Sequence, residues 1–255
     1  MDVERYPQND FPDNVANQTR HRPWPVPSSP WLMTQTWHDL LFAHWPISPD
    51  VLRARVPRRF ELDTFDGEAW IGVVPFCMTN VAPRAVPALP GLSRFPELNV
   101  RTYVRVDDRP GVFFFSLDAS SRAAVRVARL TLGLPYFDAV MSVRSDGDVV
   151  SYESRRVKSA ADFVASYRPS GPVFHARPGT LEYFLTERYC LYALDRRGRP
   201  YRLEIHHAPW PLQVAEATMT RNTMAAAAGI TLPAQTPLLH FAKRQDTIAW
   251  WPSAL

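Results

Sequence analysis

Asn99-Val100-Arg101-Thr102-Tyr103-Val104-Arg105-Val106 alternates with a period of two. Val100, Thr102, Val104 and Val106 fall on one face, and Asn99, Arg101, Tyr103 and Arg105 on the other. Side chains of an extended chain point to opposite faces in turn, so the pattern predicts a strand with one apolar face. Similar alternation, bounded by Gly, Pro or Asp, predicts strands over residues 70–78, 112–120, 139–144, 148–156 and 201–207. Ser145-Asp146-Gly147-Asp148 predicts a hairpin between two of them, and residues 195–198 a further turn.

Helices are few. Ser48 followed by Pro49 reads as an N-cap with proline at the first helical position, and that helix must stop before Pro57. Ser120 or Ser121 can cap a second helix, on which Ala124, Val127 and Ala128 repeat at helical spacing until Gly133 and Pro135 end it. A third is expected over residues 224–228, closed by Gly229. Many strands with a few peripheral helices define an α+β fold built on a barrel or a large curved sheet.

The 255 residues are 46% hydrophobic and 21% charged, enough apolar material for one large core. Residues 1–30 are rich in Pro, Asn, Asp and Gln and end in a run of alternating prolines, which predicts a flexible tail with Trp24 as its one candidate anchor. From Trp31 onward the apolar density stays high without a linker or a repeat, so residues 31–255 are expected to form a single domain. No apolar run approaches the ~20 residues of a membrane helix. Met1 to Asn17 is polar and acidic, unlike a signal peptide, and the expected compartment is the cytoplasm.

The net charge of +4 raises the question of nucleic acid, but the arginines are scattered and no basic stripe interleaves with stacking aromatics. No nucleic acid and no membrane is expected as a partner; a small-molecule ligand is, and a homo-oligomer remains open. Cys77 and Cys190 sit in apolar segments and read as two buried thiols. Metal binding is not expected, because the adjacent His206 and His207 diverge on a strand and no HxH, HExxH or CxxC spacing occurs. Glycine-rich phosphate loops and the GxSxG elbow are absent as well, so no cofactor is expected. Only Lys158 and Lys243 are lysines, leaving 27 of the 29 basic residues (29 − 2) as arginine. Any chemistry that needs an amine has two candidates.

Several stretches taken together carry a resemblance: residues 41–46 (LFAHWP), 60–76 (FELDTFDGEAWIGVVPF), 95–104 (FPELNVRTYV), 111–118 (GVFFFSLD), 185–189 (LTERY) and 206–212 (HHAPWPL). In this order, across roughly residues 31–250, they resemble the YqjF-like family of bacterial proteins of unknown function, DUF2071. That family is in turn distantly similar to acetoacetate decarboxylase. The resemblance implies that enzyme's fold, a mainly antiparallel β-barrel whose interior holds the site. The decarboxylase carries a Gly-Tyr-Pro-Lys-Lys motif whose first lysine forms a Schiff base with the ketone. The corresponding stretch here is Gly133-Leu134-Pro135-Tyr136-Phe137, in which both lysines are gone. Neither tyrosine nor phenylalanine forms an imine, so the resemblance implies the cavity without the amine chemistry.

The candidate site follows. Glu97, Asn99 and Arg101 share one strand face, where Arg101 could fork onto a substrate carboxylate and Glu97 act as a base; an outer face in water, or a structural ion pair, would explain them too. Tyr136, at the place of the reactive lysine, is either a general acid or a space-filling aromatic. Asn99, Ser116, Phe137 and His207 complete the set as substrate-binding residues, although a core histidine bonded to a carbonyl is the commoner fate of a residue like His207. Glu187 reads equally as a partner of Tyr189 on an extended face or as an ion pair with Arg188. Two functions remain: an enzyme acting on a small organic acid or carbonyl compound by acid–base chemistry, and a non-catalytic binder of an apolar or aromatic ligand.

Overall fold

Ser48-Pro49, Ser121 and Thr180 set where the helices begin, and strands occupy most of the chain between them. In chain order the elements open with β1 (Met33–Ile47), helix α1 (Pro49–Arg53) and strands β2 (Glu61–Leu62), β3 (Ala69–Pro83), β4 (Phe95–Val106) and β5 (Arg109–Ala119). Helix α2 (Arg122–Thr131) is followed by β6 (Tyr136–Asp146), β7 (Val149–Arg156) and β8 (Asp162–Pro169). Helix α3 (Leu181–Thr186) leads to β9 (Cys190–Leu194), β10 (Pro200–His207) and β11 (Leu212–Asn222), and α4 (Met224–Ala227) to β12 (Leu238–Ala249) and β13 (Ser253–Ala254). These come from a computed structural model that describes residues 3–8, 10–89 and 93–255.

Among the described residues the strands form one sheet of 13, antiparallel except where β5 pairs with β6 and β9. The pairings return on themselves: from β5 through β6, β7, β8, β11, β12, β1, β3 and β4, and back to β5. A second path through β9 and β10 joins β5 to β12. Ring closure of this kind leaves few free edges.

Strand β4 lies at the centre of that wall. Its register with β3 runs unbroken from Ile71↔Thr102 to Met78↔Phe95. Leu98 and Val100 turn to a buried apolar cluster shared with Ile71, Val73 and Tyr152, so residues 97, 99 and 101 turn the other way. The partner strand β5 is irregular: Val100 pairs with Ser116 but Arg101 with Phe114, which makes Phe115 an extra, bulged residue.

Helix α2 begins where the Ser121 hydroxyl accepts the Ala124 N–H and ends at Gly133, whose φ of +66° suits glycine. The chain then enters β6 in parallel with β5, setting Tyr136 opposite Leu117. Residues 181–186 form a helix that the sequence reading did not identify: the Thr180 hydroxyl caps α3 by accepting the Tyr183 N–H. Strands β1, β8, β11 and β12 were not evident in the sequence.

Residues 1–30 are held against the sheet at their described positions rather than forming a free tail. The buried Tyr6 phenol donates to Asp39 at 2.6 Å. The Arg22 guanidinium, with 1% of its side chain exposed, pairs with Glu204 at 3.0 Å. Trp24 Nε1 donates to the same carboxylate at 2.9 Å. Composition hid this, because the anchors are a few buried groups in a polar, proline-rich stretch. No helix among the described residues is long and apolar enough to cross a membrane.

Glu204 therefore supports the N-terminal segment. Glu204→Gln leaves the buried Arg22 without its countercharge and should cost on the order of 3 kcal/mol in denaturant unfolding. Arg109→Gln, which removes a partner whose side chain is 39% exposed, should cost under about 1 kcal/mol. Equal, small losses in the two variants would mean that the segment does not hold to the sheet.

Candidate functional site

The face of β4 opposite Leu98 and Val100 opens onto a cavity of about 360 Å³. Glu97, Asn99 and Arg101 all line it, as does Tyr136 from the start of β6. Trp37, Val74, Phe76, Phe114 and Trp210 make most of the remaining wall apolar. A more open depression of about 590 Å³ lies elsewhere, between α1 and the loop after α4, and holds none of the groups considered below.

Glu97 is 3% exposed, and its Oε2 accepts a hydrogen bond from the Tyr136 hydroxyl at 2.9 Å. Burial, with a smaller repulsion from Asp118, outweighs that hydrogen bond and pushes the carboxyl from 4.5 up to about 8. Glu97 therefore holds its proton at neutral pH. Burial and the neighbouring carboxyl also raise the Tyr136 phenol well above its ordinary value, so it stays neutral and serves as a donor.

Arg101 sits two strand positions beyond Asn99. Its Nη2 donates to the Leu185 carbonyl at 3.3 Å, and its Nε is buried without a partner among the described residues. The guanidinium stands over the Phe42 and Tyr103 rings, at 5.3 and 5.7 Å. No acidic side chain pairs with it among the described residues. Asn99 Oδ1 is likewise buried and unpartnered.

The ground beneath Arg101 is fixed by a hydrogen-bonded chain. The Tyr103 hydroxyl donates to the Leu185 carbonyl at 2.8 Å, which leaves its oxygen to accept from His44 Nε2 at 2.6 Å. That assignment makes His44 Nδ1 a bare acceptor, in keeping with its lack of a partner. Full burial and the nearby Arg101 hold His44 neutral, well below its usual pKa. Arg188 also lines the cavity but is satisfied: Nη1 donates to Asp63 at 2.6 Å and Nε to the Phe184 carbonyl at 2.6 Å.

Two of the residues expected to bind substrate do not line the cavity. Ser116 pairs with Val100, and the bulge at Phe115 turns it to the core side, away from the cavity. Phe137 follows Tyr136 on an alternating strand and therefore faces away from it, with the Arg156 guanidinium 4.0 Å over its ring. Arg156 in turn holds Asp118 through bonds of 2.6 and 2.7 Å, so Phe137 belongs to a buried ion-pair cluster.

His207 does line the cavity, with Nδ1 2.7 Å from the Ala208 carbonyl and Nε2 3.3 Å from that of Arg188. Burial lowers its pKa, outweighing Glu187 and the two carbonyls that favour the protonated ring, so it stands in the wall as a neutral group donating from one nitrogen. Glu187 accepts from the Tyr189 hydroxyl and the Trp210 backbone N–H, while Arg188 pairs with Asp63 rather than with Glu187. Lys243 pairs with Asp39, and neither it nor Lys158 reaches the cavity. Cys77 and Cys190 are both buried free thiols.

The sequence reading missed Trp37, Trp210 and Arg188. Trp37 shares a face with Met33 and Gln35 on β1, and that alternation is its one local signal. For Trp210 and Arg188, which lie outside regular strands, no local signal exists.

The protonated Glu97 gives a stability signature. The unfolded chain loses this proton near pH 4.5, whereas the native protein keeps it to about 8. The native state binds more protons across that window, so the group's contribution is full below it and falls as pH rises. Glu97→Gln removes this fall. Between about pH 5 and about pH 8 the wild type should lose on the order of 2–4 kcal/mol more stability than the variant, by denaturant unfolding. Parallel curves would place Glu97 in a solvated setting.

Comparison with known proteins agrees with this fold. The "Uncharacterized protein YqjF" of Bacillus subtilis (strain 168) is 50% identical over 226 residues, covering 88% of this chain and 93% of that protein. Among solved structures, the enduracididine biosynthesis enzyme MppR, complexed with the condensation product of pyruvate and imidazole 4-carboxaldehyde, superposes with a TM-score of 0.62. It shows 12% identity over 89% of this chain and 90% of its own. Acetoacetate decarboxylase from Legionella pneumophila subsp. pneumophila str. Philadelphia 1 gives 0.61 at 13% identity, with 98% of each chain covered. These likenesses show an acetoacetate-decarboxylase-like fold with a large, mostly antiparallel sheet and few helices. Residues 34–246 match the model of the DUF2071 family, described as "Uncharacterized conserved protein", and the chain belongs to that family.

Proposed function

We propose that the ring of strands forms a barrel whose cavity binds a small organic acid or carbonyl compound and acts on it by acid–base chemistry, without an imine. The observation that carries this reading is Arg101, a guanidinium lining a mostly apolar cavity with no acidic partner among the described residues. Leaving a charge unpaired in such a place is costly, and a ligand carboxylate, gripped in bidentate fashion, removes the cost. Glu97 supplies a proton that a carbonyl or hydroxyl oxygen can receive, and its pKa of about 8 lets it give and retake that proton near neutral pH. Tyr136 stabilises the ionised form by donating to it. Proton transfer of this kind is compatible with addition, dehydration or enolisation at a carbonyl carbon. The bound product in the enduracididine enzyme, built from pyruvate, fits the same class of ligand.

The aromatic wall of Trp37, Phe76, Phe114 and Trp210 favours a second reading, a binder that holds an apolar or aromatic ligand without turning it over. The two differ in what the polar groups do. In the first, Arg101→Met abolishes the thermal stabilisation given by pyruvate, a shift that scales with ligand concentration over Kd in the wild type. In the second, pyruvate has no effect and the variant matches the wild type.

Amine chemistry is tested separately. Incubation with acetoacetate and borohydride should leave Lys158 and Lys243 unmodified by mass spectrometry. A stable adduct on either lysine would restore the imine mechanism.

A further inference from the structure

The two polar ends of the cavity are well separated. Glu97 and Arg101 lie four residues apart on an uninterrupted strand, which sets their Cα atoms roughly 13 Å apart at ~3.3 Å per residue. The bulge that breaks the register belongs to β5, not β4, so the spacing is that of a regular pleat. Between Glu97 and Arg101 the wall is Leu40, Val74, Phe76 and Phe114, broken on β4 by Asn99 alone.

Charge fixes the chemistry of each end. Of the two guanidinium groups lining the cavity, Arg188 is already neutralised by Asp63, which leaves Arg101 to take one carboxylate. At the other end stand an acid and a phenol, with no cation among the described lining residues to receive a second negative charge. The exposed Val127 and Trp251 also line the cavity and mark its mouth. They lie toward the Glu97 end, where β1 begins, β3 finishes and β12 finishes: Met33 pairs with both Pro83 and Ala249.

Resting on the reading proposed above, we infer that the ligand is an elongated monocarboxylic acid with an uncharged carbonyl or hydroxyl group at its far end. It lies along β4, its carboxylate at Arg101, its apolar body against Phe76 and Phe114, and its far oxygen at the Glu97–Tyr136 pair near the mouth. A two- or three-carbon acid reaches one end only. Each added methylene that is buried strengthens binding roughly fourfold until the far oxygen meets Glu97.

The test is calorimetric titration with pyruvate, octanoate and 7-oxooctanoate. In the wild type, 7-oxooctanoate should bind at least tenfold more tightly than pyruvate and several-fold more tightly than octanoate. Arg101→Met should weaken both long acids at least tenfold. Glu97→Leu, or Tyr136→Phe should that variant not fold, should narrow the gap between 7-oxooctanoate and octanoate. Pyruvate binding as tightly as 7-oxooctanoate would overturn the elongated ligand while leaving a carboxylate site in place. Octanoate matching 7-oxooctanoate in the wild type would overturn the far oxygen contact. If none of the three acids binds, the carboxylate reading itself fails, and this inference with it.

Discussion

Everything at the site depends on the pleat of β4. A strand held in register on one side by β3 has no freedom to choose which of its residues face inward. Once Leu98 and Val100 are committed to the core, Glu97, Asn99 and Arg101 are committed to the cavity. A slip of one residue would bury three polar groups in the apolar cluster and expose two aliphatic ones to the cavity. The energetic asymmetry between those arrangements is large, so the hydrophobic side of the strand enforces the placement of its polar side. The bulge at Phe115 shows the complementary case: one extra residue on β5 returns Leu117 to the cavity face and turns Ser116 away from it.

The two ionisable groups thus forced inward solve the problem of burial in different ways. Glu97 takes a proton, because desolvation exceeds the help it receives from Tyr136. A guanidinium has no such recourse, since it stays charged at any pH the fold survives. Arg101 is left with one carbonyl, two aromatic faces and an unpartnered Nε. The three buried arginines among the described residues are each held by an acid, Arg188 by Asp63, Arg156 by Asp118 and Arg22 by Glu204. The half-buried Arg53, Arg94 and Arg101 have no such acid among the described residues, and of these three Arg101 is the one that lines the cavity.

Much of this was legible in the residues. Alternation alone separated the two faces of β4, and the Ser121 cap with the Gly133 stop located the helix that precedes Tyr136. The resemblance at residues 133–137 then brought Tyr136 to the site, where it meets Glu97 across 39 positions of sequence. Parity failed where the backbone departs from a simple pleat. Ser116 follows a bulge that no composition rule announces, and Phe137 was grouped with its neighbour although adjacent strand residues diverge. Long pairings were also illegible: nothing local to Arg188 points to Asp63, and nothing in a proline-rich leader announces that Arg22 and Trp24 converge on Glu204. Strand β1 is buried continuously from His38 to Trp45, and over that stretch it lacks the alternation by which strands are recognised.

The central claim is that Arg101 is kept without an acidic partner so that a ligand can supply one. The most direct measurement is a crystal structure of the protein grown with pyruvate. The account predicts carboxylate oxygens about 2.7–2.9 Å from the Arg101 guanidinium nitrogens, with the ligand inside the cavity and no lysine bonded to it. A structure in which Arg101 has swung into an ion pair with an acid of its own chain, the cavity being left to solvent, would contradict it.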